Sequence, residues 1–463
     1  MKVFQRIRRN RVLRFIGLGF TMLIALLAAA IVVSVTVDLG PSVRARAERE
    51  GSKYIERPLH IGTLRVHLLT GKVLVQDLRI DGLQPGDRPF FTAKQIAVGL
   101  DWLPAFRRRP DITITSVEMS DWRMLVEKWG DRHNFPKFTR DDQRPKGERR
   151  VTVTMRSLRA DRGEFAYEDH DTPWGVVCRN LAIDIGNIPT YHGTATFKGG
   201  TVTIQNYVPM WVNMNAKFVI DGPRVRLGRI DLDSDGAKSV ARGEVDLSRW
   251  PEQTFNVQSH VNFPRMRQLF FKDERWDLTG TGDFNGVFHL FKGGRDLSGT
   301  FTSAIAGVNE YRFPLLSGSL RWTPTAFEVW DAKARFLGGD AKFAYSIKPL
   351  GAPVKPTALF DATVTGMNLA QLSDFEQMRG LRFAGFATWH NVLAWPLGRF
   401  AEHRGEGHVD VTPPPGVTID PGSPPPPVPA RETVADEKNE DGIAAFVPLP
   451  SHLPIAGELT YRF

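Results

Sequence analysis

Beyond residue 57, apolar and polar residues alternate with a period of two along most of the chain. Ala195 and Phe197, then Val202 and Ile204, are spaced by threonines, with Gly199-Gly200 between the two pairs. Ala216, Phe218 and Ile220 alternate with Lys217 and Asp221, and Phe360, Ala362 and Val364 with Asp361, Thr363 and Thr365. A period of two puts apolar side chains on one face of a strand and polar ones on the other. The 42 glycines and 32 prolines, many at segment ends, supply turns between short strands. The expectation is a mainly β protein of about 20–25 strands with a few short helices, mostly antiparallel because the connections are too short for crossovers. Gly199-Gly200 reads as one of the turns.

The N-terminus departs from this pattern. Residues 15–37 carry no charge, and only Thr21, Ser34 and Thr36 are polar beside two glycines. About 20 apolar residues are enough to cross a bilayer. A cleaved signal peptide has a shorter apolar region, and Ala28, Ala29 and Ala30 lie inside this run rather than after it. Six bases (Lys2, Arg6, Arg8, Arg9, Arg11 and Arg14) precede the run and Asp38 follows it. The positive-inside rule therefore predicts a single-pass membrane anchor, with residues 1–14 as a cytoplasmic basic tail and the bulk outside. Those six bases also account for most of the net charge of +9, leaving +3 over residues 15–463. A nucleic-acid binder needs a concentrated basic face; Arg107, Arg108 and Arg109 make only a short solvated cluster. Cys178 is the sole cysteine, so no intrachain disulfide exists, and its alternating apolar surroundings predict a buried, inert thiol.

The remaining boundaries follow composition. Residues 38–57 predict a polar, membrane-proximal helix, residues 58–412 the β-body, and residues 413–441 a Pro-rich, charged loop or linker, because proline cannot donate to a sheet ladder. Residues 442–463 predict a terminal strand segment. Two internal similarities recur within the body. Thr113–Glu127 matches Thr154–Glu168 at an offset of 41, pairing Ser116 with Ser157, Met124 with Phe165 and Glu127 with Glu168. Each copy predicts a hairpin. VNFPRMRQL at 261–269 matches VTGMNLAQL at 364–372 at an offset of 103, and each copy predicts a strand that enters a short helix before a glycine-containing strand.

The sequence holds no constellation that predicts catalysis. It has no P-loop, no H-E-x-x-H and no G-x-S-x-G elbow. Asp231, Asp233 and Asp235 open like a calcium loop, but Arg242 stands where a bidentate glutamate is needed. His403 and His408 flank a glycine-containing turn without a third ligand. Glu168, Asp169, His170 and Asp171 read as a solvated turn after a strand. No enzyme, metal or cofactor is expected.

The aromatic load is more informative: 11 Trp, seven Tyr and 30 Phe. It suits either a closed sandwich core or an open sheet whose apolar face is kept for an apolar ligand. The order of segments decides how this is read. A basic tail, one membrane helix and a polar helix lead into RPLHIGTLRVHLLTGKVLVQDLRIDGL at 57–83, FFTAKQIAVGLDWLP at 90–104 and ITITSVEMSDWRMLVEKWGDRHNFP at 112–136. With Pro58, Ile61, Gly62 and Leu64, then Ile114, Val117 and Trp122, and the later repeats carrying Leu269 and Leu372, residues 1–400 resemble the AsmA-like family of the AsmA, TamB and YhdP type. The Pro-rich stretch departs from the family pattern.

The resemblance implies a single-pass inner-membrane protein of a two-membrane envelope, whose bulk is an elongated, curled β-groove in the periplasm. It also implies a role in phospholipid transfer or envelope homeostasis between inner and outer membrane. Phe197, Ile204, Phe218, Ile220, Leu320, Trp322, Phe360 and Val364 are then the positions expected to line the groove. The expected partners are inner-membrane lipids. The alternative is a structural factor for outer-membrane protein assembly or secretion, with outer-membrane or periplasmic proteins as partners and strand pairing at a sheet edge as its mechanism.

Overall fold

The computed structural model describes residues 41–67, 71–101, 111–130, 132–136, 152–171, 174–187, 190–205, 207–222, 224–246, 252–291, 294–351, 354–378, 381–419 and 451–463. The expected membrane span at 15–37 and most of the Pro-rich stretch lie outside the described residues. Among the described residues, no helix is long and apolar enough to cross a membrane. The described chain is mainly β, a large, open, mostly antiparallel sheet with three short α-helices. It divides into two compact units, residues 1–260 with 285–296, and residues 261–284 with 297–463.

The first unit opens with helix α1 (Pro41–Ile55), within the expected membrane-proximal segment. Next come β1 (Leu59–His67), β2 (Lys72–Ile80), β3 (Phe91–Asp101), β4 (Asp111–Trp129), and the short β5 (Arg132–His133) and β6 (Thr152–Met155). They are followed by β7 (Ser157–Asp169), β8 (Trp174–Asn187), β9 (Tyr191–Ile204), β10 (Met210–Asp221), β11 (Arg224–Ser234), β12 (Ala237–Asp246) and β13 (Gln253–Asn262). Strands β1 to β4 are antiparallel neighbours, as are β7 to β12.

The join between these two runs is parallel. β4 pairs with β6 and β7, with Asp111 opposite Thr152, Val117 opposite Leu158 and Glu127 opposite Glu168. Every one of these partners is 41 positions away, so the repeat offset is the strand register. The expected hairpins are therefore corrected: each copy is an extended strand, and the copies lie side by side. Four non-glycine residues described in these strands have positive φ. Asp121, Arg162 and Asn180 have φ of 52°, and Asp77 has 54°. Each lies where ladder pairing is interrupted, on β4, β7, β8 and β2 respectively; between β7 and β8 the register also shifts, as at a bulge. A bulge bends a strand and increases its twist, and the unpaired positions Asp77, Lys94, Asp121 and Arg162 line up across neighbouring strands. Arg162 holds Asp121 through two hydrogen bonds of 2.8 and 2.9 Å.

Helix α1 guards the outer edge of β1. Glu48 Oε1 accepts from the Ile61 amide at 2.8 Å, Ser52 Oγ accepts from Leu59 at 2.9 Å, and Arg44 donates to the Gly62 carbonyl at 2.9 Å. Covering a free edge in this way blocks stray strand pairing. Ala47 and Ile55 of α1 join a core with Val73, Ile80, Phe91, Ile114 and Leu158, all at most 2% exposed.

The second unit contains β14 (Leu278–Phe291) and β15 (Gly294–Val308) in part, and the ladder continues with β16 (Tyr311–Trp322), β17 (Phe327–Phe336), β18 (Gly339–Lys348) and β19 (Thr357–Asn368). Then come β20 (Leu381–Ala384), β21 (Phe386–Pro396), β22 (Arg404–Thr412), β23 (Ser451–Pro454) and β24 (Gly457–Arg462). Antiparallel pairing runs β15–β16–β17–β18–β19–β21–β22–β24, while β20 and β23 form a parallel side pair. The second sequence similarity corresponds to α2 (Phe263–Phe270) and α3 (Leu369–Phe375), each entered from a strand. Asn262 caps α2 by accepting from Arg265, and Asn368 caps α3 by accepting from Ala370 and Gln371. The caps are 106 positions apart, so the structural match is three residues beyond the sequence match.

Candidate functional site: an apolar sheet face

In the first unit the register gathers the predicted residues on one face. Ile204 is opposite Trp174, Phe197 opposite Met214, Phe218 opposite Gly193 and Leu227, and Ile220 opposite Tyr191 and Val225. In the second unit Leu320 is opposite Val329, Trp322 opposite Phe327, Phe360 opposite Tyr345 and Leu393, and Val364 opposite Ala341 and Trp389. Phe197 and Val364 are buried in packed clusters, at 5% and 3% exposure. The other six are half-buried. Gly199-Gly200 is not a turn; β9 runs through it as a bulge, and the Gly199 amide donates to Asn213 Oδ1 at 2.8 Å.

Pairs of a glycine and an aromatic ring were not anticipated. A Cβ on Gly193 would stand 2.7 Å from Phe218 Cζ, one on Gly200 2.7 Å from Phe197 Cε2, one on Gly243 2.6 Å from Phe255 Cδ1, and one on Gly318 2.8 Å from Phe301 Cζ. Each ring takes space that a side chain at the glycine would need, so the glycine admits the ring close to the backbone. The sequence signal was present as the joint excess of Gly and Phe, but the cross-strand register is needed to pair them.

The second unit covers its apolar face at two ends. Leu369 and Leu372 of α3 pack with Phe336, Val364 and Ala387. Phe271, just after α2, packs with Phe327, Tyr345, Ile347 and Trp395. Glu274 fixes that second cover. It is 2% exposed, and its Oε1 accepts from the Gly398 amide at 2.9 Å and from Trp395 Nε1 at 3.3 Å. Burial, with Glu274 nearby, raises the Tyr345 phenol well above its ordinary value. Between the covered ends, Phe343 and Phe360 lie half-buried with rings 5.7 Å apart.

The polar positions singled out earlier are structural. The in-register repeat sets Glu127 beside Glu168, and Arg88 bridges them, at 2.5 Å to Glu127 and 2.6 and 3.0 Å to Glu168. His170 stacks on Trp129 with centroids 4.9 Å apart. The guanidinium already occupies the space between the carboxylates, and its hydrogen bonds hold Glu168 below the usual carboxylate range. A shallow surface groove of about 430 Å³ on the bulge row is lined by Lys94, Asp121, Arg162 and Arg179 among others. Asp231 is paired with Arg229 at 2.7 Å, and Asp235 lies at a turn. His403 Nδ1 is 2.9 Å from the Phe400 carbonyl and its ring stacks on Phe400, so it does not share a site with His408. Cys178 is buried, and desolvation pushes its thiol up to about 12.

The geometry defines the class as a large β-sheet protein with a partly uncovered apolar face. No protein-family model and no curated protein matches the chain.

Proposed function

We propose that this is a membrane-anchored envelope protein whose apolar sheet face receives phospholipid acyl chains, for transfer or homeostasis between two membranes. The observation that carries the reading is the set of half-buried apolar side chains on β9, β10 and β13: Ile204, Phe218, Ile220, Phe255 and Val257. In β13 the pattern is half-buried and exposed in strict alternation, with Phe255 and Val257 on the half-buried face. Apolar surface left facing water forgoes roughly 25 cal/mol per Å², and large contiguous patches of this kind mark sites for apolar partners. An acyl chain extracted bare costs about 0.8 kcal/mol per CH₂, which a shallow apolar face reduces without any chemistry. Head groups then stay at the open side. The 15–37 anchor would bring the face to its lipid source.

A photoreactive amino acid at Phe218 or Ile220 tests this against one at Lys217, on the opposite face of β10. Lipid adducts at the first two and not the third are expected in membranes. Adducts at none of the three, with no phospholipid copurifying, would reject the reading. The assembly alternative is favoured by one feature: β24 pairs only with β22 among the described residues, with Leu459 60% and Phe463 61% exposed. Protein adducts at Leu459, without lipid at Phe218, would support strand addition there instead.

A further inference from the structure

β24 is a six-residue strand, and its partner β22 lies 44 residues back in the chain, beyond Pro-rich sequence. Closing so long a loop carries an entropic cost that a short strand must offset. The register makes this harder, since Asp410 of β22 is directly opposite Glu458 of β24. Like charges facing each other across a ladder are destabilising. No lysine or arginine among the described residues pairs with either carboxylate; the group between them is His408.

The distances have a specific meaning. His408 Nε2 is 3.3 Å from Asp410 Oδ2 and 3.5 Å from Glu458 Oε1, and the three donor atoms lie within 4.8 Å of one another. A good charge-assisted hydrogen bond is shorter, about 2.7–2.9 Å. Donors placed tetrahedrally about 2.1 Å from one ion, the usual zinc–nitrogen and zinc–oxygen length, stand about 3.4 Å apart. His408 Nδ1 lies 3.0 Å from Thr460 Oγ1. A proton on Nδ1, donated to that hydroxyl, leaves the Nε2 lone pair facing the carboxylates, the outer contact that orients metal-ligating histidines.

We propose that His408, Asp410 and Glu458 form a divalent-metal site that staples β24 to β22. One neutral imidazole and two carboxylates carry two negative charges, which a divalent ion neutralises. The imidazole selects a zinc-class transition ion over magnesium or calcium. Three protein ligands leave a fourth position for water.

The test uses the full chain in detergent, without a histidine tag, stripped with chelator and titrated with zinc chloride by calorimetry. Saturable one-to-one binding is expected. His408→Gln and Glu458→Gln, at separate positions on the two strands, should each weaken it at least tenfold. His390→Gln, whose side chain instead pairs with Asp361 at 3.0 Å, should not. Hydrogen exchange supplies the structural readout: zinc should slow exchange of the 457–463 peptide about tenfold in the parent and not in His408→Gln. Absence of saturable binding, unchanged affinity in both variants, or an exchange rate indifferent to zinc would overturn the proposal.

Discussion

In β2 and β3 every inward apolar side chain from Val73 to Leu100 is at most 5% exposed, whereas in β13 none of the alternating positions is buried. Both regions carry the same period of two, and both belong to the first unit. What differs is the residue choice. β2 reads KVLVQDLRI and β3 FTAKQIAVGLD, with branched aliphatics that interlock with α1 and the strands behind them. β9 reads YHGTATFKGGTVTI, where Gly193 and Gly200 leave room for the rings of Phe218 on β10 and Phe197 on β9. Interlocking side chains need a facing layer to fill the gaps between them. The half-buried positions of β13 mark where that layer is incomplete. The same alternation thus builds a closed core in one place and a usable surface in another.

The sharpest way to break this contrast is thiol labelling. Cys178, on β8, marks the filled side: it is buried and its thiol is pushed up to about 12. An Ile220→Cys thiol on the half-buried face would sit near the ordinary value of about 8.5. At pH 8 the difference in thiolate alone predicts labelling about a thousandfold slower at Cys178. Rates within tenfold of each other would show the two regions to be equally closed. Next in size is Leu158→Ala, at 2% exposure in the filled core. It should cost about 2–5 kcal/mol in a denaturant titration, from lost transfer energy plus the cavity.

Much of the fold is legible in the sequence, and the failures are instructive. Among the described residues between 58 and 412, alternation and strands coincide over most of the length, and within 38–57 the described helix α1 runs from Pro41 to Ile55. The 41-residue repeat is legible as similarity but not as parallel pairing, because a strand pattern states which face is apolar and not which neighbour it meets. Asp121 and Arg162 have positive φ in mid-strand, interrupting the pairing without reversing the chain. Phe197 and Phe218 read alike in sequence, yet one is buried and the other half-buried. On β10 itself Val212 and Ala216 are buried while Phe218 and Ile220 are half-buried, a change along one strand that its alternating pattern does not encode. The Asp410–Glu458 contact is invisible for a related reason: 47 residues separate the pair, and only the β22–β24 register joins them.

Arg88 tests the parallel join between the two runs. Arg88→Met should cost about 1–2 kcal/mol near neutral pH, modest because the side chain is 55% exposed and water screens it. The sign of the pH dependence follows from Glu168, whose folded carboxyl is held below its ordinary value chiefly by the Arg88 hydrogen bond. That stabilisation is complete above the unfolded value of about 4.3 and is lost as pH falls through the lowered folded value. The gap between parent and variant should therefore narrow below about pH 4. A gap that stays constant from pH 7 to pH 3 would assign the loss to packing and not to the ion pair.

The smallest effect discriminates most directly between an open face and a covered one. Phe218 keeps contact with Gly193 beneath it but is only half-buried. Phe218→Ala should cost about 1–1.5 kcal/mol, half of what burying a whole phenyl ring contributes, and well under the about 3–5 kcal/mol of a Phe→Ala in a filled core. Repeating both denaturations in phospholipid nanodiscs separates two causes of a small cost. If lipid occupies the face, it stabilises the parent more than Phe218→Ala, and the measured cost rises when lipid is present. Leu158→Ala, away from the face, should show no such rise. Equal costs for the two variants without lipid would mean that β10 is as covered as β7, and the contrast between the regions would be lost.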